Sequence, residues 1–106
     1  EQLLLPIGNE WKFNSYLETL TTNNRREIQI IGLYLKIKGF TFENKEQAIS
    51  DLKRQLKPAK ELIGYSDEQI VHTAKYLEEN ADYKWTLETV SKFINEPKII
   101  NYGKNS

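Results

Sequence analysis

The sequence predicts an all-α fold, a compact bundle of about five helices. Three observations carry this. Apolar residues recur at steps of three and four along most of the chain. Cap residues followed three positions later by Glu or Gln stand ahead of three of these runs, at Asn24/Glu27, Asn44/Gln47 and Ser66/Gln69. The only strand-like alternation is Phe40-Thr41-Phe42, too short to form a sheet and with no second run to pair with.

Asn9 is placed to cap a first helix over about 10–21, with Trp11, Phe13, Tyr16, Leu17 and Leu20 on its apolar face. Asn24 and Glu27 take the cap and third positions of a second helix, which runs to Lys38 and stops at Gly39, a residue free to adopt the left-handed conformation that ends helices. Its apolar residues, from Ile28 and Ile30 to Leu35 and Ile37, surround most of the circumference, which predicts the buried central helix. Asn44 and Gln47 open a third helix with Ile49, Leu52, Leu56, Ala59 and Ile63 along one face. Pro58 lacks an amide donor and crowds the preceding turn, so a kink or restart is expected near Lys57, and Gly64 closes the segment.

Ser66 and Gln69 form a capping box, with Tyr65 placed to pack on Ile70 as a staple. The helix it opens, about 67–80, buries Ile70, Val71, Ala74 and Leu77. Thr86 caps a last helix over about 87–95, with Leu87, Val90, Phe93 and Ile94 inward and Trp85 set against Val90. Residues 1–96 are thus expected to form a single domain. Residues 1–8 read as a linker from a larger chain, and 97–106 as a departing polar tail.

Composition narrows the function classes. A chain of 106 residues with 39% hydrophobic and 28% charged residues has room for one ordinary core. No apolar run approaches the ~18–20 residues of a membrane span. Glu1-Gln2-Leu3-Leu4-Leu5-Pro6 lacks the basic start and long apolar stretch of a signal peptide, and without an initiator Met, Glu1 reads as the start of an excised fragment. The absence of cysteine rules out disulfides and thiolate metal sites and fits a reducing, cytoplasmic compartment.

Catalytic constellations are missing at the level of spacing. His72 is the only histidine, and Asp51, Asp67 and Asp82 are scattered. Glu78 and Glu79, adjacent on a helix, point about 100° apart. The glycines form no phosphate loop, and Ser66 is explained as a cap. The expectation is a non-enzyme without metal or cofactor.

Net charge is zero, but it is segregated: residues 25–60 carry a balance of +5 and residues 61–96 a balance of −5. Within the basic stretch Lys53, Lys57 and Lys60 are spaced i, i+4, i+7 on one helical stripe, and Arg54 flanks it. Such a stripe can lie along phosphates, each lysine displacing condensed counterions; a solvated helix face is the competing explanation. Lys36 and Lys38 are further candidates, because they precede Phe40 and Phe42, two aromatics in a linker. The other ten of the twelve aromatics fall mostly at core or staple spacing. The helix over 67–80 holds Asp67, Glu68, Glu78 and Glu79 against Lys75 alone, so it is unsuited to enter a groove lined by phosphates, and any DNA contact should be of the backbone type.

A basic helix with Lys53-Arg54, the turn Gly64-Tyr65-Ser66, an acidic-start helix, and then Trp85-Thr86-Leu87-Glu88 with Phe93-Ile94-Asn95 follow one another over residues 49–95. This order resembles the C-terminal helical domain of phage and prophage replication proteins, the replisome organisers and helicase loaders. There a Gly-Tyr-Ser/Thr turn precedes a helix and a Thr-Leu segment leads into a short final one. Lys84-Trp85 stands where that family has a proline. The resemblance implies a non-catalytic helical module that follows a DNA-binding domain and contacts single-stranded DNA or the replicative helicase. Two readings stay open: a DNA-associated module of a phage- or mobile-element-type replication protein, and a protein–protein adaptor or assembly domain whose acidic half, 61–96, docks a basic partner or a second copy.

Overall fold

The structure, a computed structural model, describes residues 12–101. Six helices and no strand occupy these residues: α1 (Phe13–Thr21), α2 (Arg26–Lys38), α3 (Lys45–Glu61), α4 (Asp67–Asn80), α5 (Leu87–Phe93) and α6 (Pro97–Ile100). The fold is an all-α bundle. Asn9 and Trp11, expected to start and line the first helix, lie outside the described residues; the described part of α1 has Lys12 before it and no side-chain cap.

α2 is the central helix. Ile28, Ile30, Ile31, Tyr34 and Leu35 are all buried, and α1, α3 and α4 each pack on it. Gly32 sits where α1 crosses closest: a Cβ there would come within 2.8 Å of Thr21 Cγ2 and 3.0 Å of Leu20 Cβ. A glycine in mid-helix costs about 1 kcal/mol of helix propensity, and the close approach of α1 is its physical reason. Gly39 ends α2 at φ +71°, with its N–H donating to Leu35 O at 2.9 Å and Phe40 N–H to the same carbonyl at 3.2 Å. This termination fixes where Phe40 stands.

Caps are realised unevenly. Asn44 accepts from Gln47 N–H at 2.9 Å, although Gln47 reaches back to Glu43 N–H rather than to Asn44. Ser66 and Gln69 exchange both bonds of a capping box. At Thr86 the backbone N–H is satisfied by Thr89 Oγ1 at 3.1 Å. The expected Asn24–Glu27 cap does not form. Asn23 accepts from Arg25 N–H at 2.9 Å instead, and Glu27 is drawn to Arg25, whose Nη2 stands 2.7 Å away. A full guanidinium–carboxylate pair outcompetes a neutral amide as partner for Glu27.

Two further expectations are corrected and a third is narrowed. α3 runs through Pro58 as one continuous helix, so of the kink or restart expected near Lys57 the restart is excluded. Its inward face keeps Leu52 and Ala59, as the hydrophobic pattern has it, but extends to Ala48, Asp51, Pro58 and Leu62, which are also buried, whereas Ile63 is 45% exposed. The chain also does not depart at residue 97. Pro97 opens α6, Ile99 is buried, and its carbonyl lies 2.6 Å from His72 Nε2 on α4. A short proline-started helix with one buried residue in four is too brief to show a period.

Candidate nucleic-acid interface

α3 has two working flanks. At about 100° per residue, its buried side centres on Ala48, Leu52 and Ala59, and Lys53, Lys57 and Lys60 fall nearly opposite. All three lysines are exposed, and none has an ion-pair or hydrogen-bond partner among the described residues. They cover two turns, about 10 Å along the axis. Lys60 is close enough to the start of α2 to help hold the Glu27 carboxyl below its ordinary range, after that residue's backbone hydrogen bond and Arg25. Glu46 continues the same stripe towards the start of α3, so the basic part is confined to the second half of the helix.

Arg54, the flanking candidate, is 73% exposed and binds Asp51 Oδ1 at 2.9 Å. Lys36 is exposed in the last turn of α2, where a cation also complements the helix C-terminus. Lys38 is not available in the way the sequence suggested. Its ammonium donates to Trp85 O at 3.0 Å and lies 4.1 Å from the centroid of the Trp85 ring and 5.7 Å from that of Phe40. Burial pushes its pKa down, Lys84 adds to this, and Glu78 opposes. Lys38 is a clamp between α2 and the turn before α5. Glu78 completes the arrangement by accepting from Trp85 Nε1 at 2.9 Å.

The two linker aromatics part company. Phe42 is half-buried against Phe13, with ring centroids 5.9 Å apart. Phe40 keeps 36% of its surface exposed and is propped by the edge of Tyr34, centroids 6.0 Å apart at 85°.

Sequence reasoning passed over Asp51. It is 7% exposed, and its Oδ2 is buried without a hydrogen-bond partner among the described residues, while Oδ1 serves Arg54 and Gln55. Burial first, then the Asp51 charge, raises the phenols of Tyr16 and Tyr34 to about 12. Asp51 also lines a cleft of about 480 Å³. One wall is α3, through Asp51, Arg54, Gln55 and Pro58; Tyr34, Lys38 and Phe40 form the α2 side, and the turn from Lys84 to Glu88 closes the third. The polar residue type inside an apolar spacing was the only available signal, since Asp51 precedes Leu52 on the inward side.

The acidic half is partly engaged. Asp67 pairs with Arg26 at 2.7 Å, and Glu78 holds Trp85. Among the described residues no three His, Cys, Asp or Glu side chains gather as a metal site, and no helix is long and apolar enough to cross a membrane. Comparison with known protein families, curated proteins and solved structures finds no match to this chain.

Proposed function

We propose that this chain is a non-catalytic DNA-binding module that holds the phosphate backbone with Lys53, Lys57 and Lys60, assisted by Arg54 and Lys36. The observation that supports it is the stripe on α3: three exposed lysines on one line, opposite the buried side, with no carboxylate at ion-pair distance among the described residues. Cations used for fold stability are held by partners, as Lys38 and Arg26 are. Cations left facing solvent in a row supply a sequence-independent affinity for a polyanion. The resemblance of residues 49–95 to phage replication proteins suggests the setting, a replication protein of a phage or mobile element.

The test is a titration of labelled DNA at low salt with the parent chain and with Lys53→Gln/Lys57→Gln/Lys60→Gln. The parent binds duplex oligonucleotides of different sequence alike, and the triple variant, equally folded by circular dichroism, loses at least about tenfold in affinity for all of them. Undetectable binding by the parent overturns the reading. The adaptor alternative would then lead, with the exposed acids of α4 beside Val71, itself 39% exposed, as the surface to mutate.

A further inference from the structure

The cleft on the inward flank of α3 has a chemistry of its own. Arg54 stands between it and the stripe, with the lysines on one side and Asp51, Gln55 and Pro58 on the other, about 15 Å away around the helix surface. The cleft combines an aromatic residue, Phe40, 36% exposed, with the cations Lys38, Arg54 and Lys84 and the carboxylates Asp51 and Glu88. Asp51 supplies a carboxylate oxygen that lacks a donor among the described residues. A buried acceptor without a partner costs free energy that a ligand N–H can recover. Arg54, 73% exposed, binds the other oxygen, Oδ1, and leaves Oδ2 to the ligand.

We propose that this cleft takes one unpaired base of a single DNA strand, stacked on Phe40 and donating an N–H to Asp51, while a flanking phosphate lies on Arg54 and the strand continues around α3 to its lysines. The ligand must be planar and apolar on its face, carry N–H donors on its edge, and be joined to an anion. A nucleotide in a single strand meets all three requirements. A duplex keeps its faces stacked and its donors paired, so it reaches the lysines but not the cleft. Guanine is favoured over thymine, because guanine offers N1–H and N2–H side by side, whereas the thymine N3–H lies between two carbonyl oxygens that repel a carboxylate. Phe40 is suited to the task because the end of α2 fixes its position and its ring packs at 85° to that of Tyr34, so little conformational freedom is lost when a base stacks on it.

This inference rests on the backbone-binding reading, and the experiment separates the two. Fluorescence anisotropy is measured at one salt concentration with an oligothymidylate, the same strand carrying one central dG, and a duplex of equal length. The expected order is dG-containing strand, then oligothymidylate, then duplex, with about tenfold between the first and last, the size of one base stacked on one ring. Phe40→Ala removes that preference and leaves the salt dependence unchanged; Asp51→Asn, checked for folding by thermal melting, removes the dG advantage. Equal binding of strand and duplex, unaffected by Phe40→Ala, overturns the cleft assignment and leaves the backbone reading standing. No binding to any DNA overturns both. Competition by free dGMP at lower concentration than by the oligonucleotide would assign the cleft to a free nucleotide and overturn its assignment to a strand.

Discussion

Lys38 and Lys57 are the same residue type, both in the basic half of the chain, and the structure treats them oppositely. Lys38 is drawn against Trp85, Phe40 and a backbone carbonyl, where it ties the end of α2 to the turn before α5. Lys57, with Lys53 and Lys60, projects from α3 without a partner among the described residues. The difference is set by neighbours more than by the lysines. An aromatic face and a free carbonyl capture an ammonium on a flexible stem, and α3 offers neither on its outer side. Charge density along a sequence therefore overstates a binding surface whenever aromatics stand within reach of its cations.

The largest expected effect lies at the clamp. Trp85 is 3% exposed, so Trp85→Ala should cost about 3 kcal/mol or more in a denaturant melt, through lost burial and the loss of its contacts to Tyr34, Lys38 and Glu78. A small effect would mean that the corner is loose and Lys38 no better held than Lys57.

Lys38→Ala comes next, at about 1–2 kcal/mol, for the cation–π contact and the charged hydrogen bond. Lys57→Ala should stay within about 0.5 kcal/mol. Equal costs for the two substitutions would erase the distinction between engaged and free lysines.

The same division holds for the caps. Asn44→Ala should lose about 1 kcal/mol, because Asn44 accepts from Gln47 N–H. Asn24→Ala should be nearly silent, since Asn23 and Arg25 carry out the start of α2.

The smallest effect at neutral pH is expected at Tyr34. Its folded pKa is raised to about 12 from an ordinary 10, so the stabilisation is complete below pH 10 and is lost as pH rises from there through about 12. Tyr34→Phe should leave the Tm at pH 7 almost unchanged and reduce the fall in Tm between pH 10 and 12. An identical alkaline fall in the variant would place the titrating group elsewhere, with Tyr16 the other phenol beside Asp51.

Much of the fold was legible because its signals are local. The capping box at Ser66 and Gln69 located α4 at 67–80, and the nearly continuous apolar surface of 28–37 marked the central helix. What was not legible depends on tertiary neighbours. On α3, hydropathy favours Ile63 over Asp51 as an inward residue, yet Asp51 is buried and Ile63 exposed, because Arg54 and Gln55 satisfy one carboxylate oxygen there. Gly32 gave no sign of the α1 crossing that requires it. The basic stripe is legible from its spacing alone, whereas the engagement of Lys38 is not, because its partner Trp85 stands 47 positions further on.

The division between free and engaged lysines is tested most directly by the salt dependence of DNA binding in three proteins: the parent, Lys38→Ala, and Lys53→Gln/Lys57→Gln/Lys60→Gln. Log affinity should fall linearly with log salt, each lysine on a phosphate contributing roughly 0.9 to the slope on duplex and 0.7 on a single strand. The triple variant should flatten the slope by about two to three, and Lys38→Ala should leave it unchanged. A triple variant with the parent's slope, or a Lys38 variant that lowers the slope as one of the stripe lysines does, would contradict the assignment of the phosphate contacts to α3.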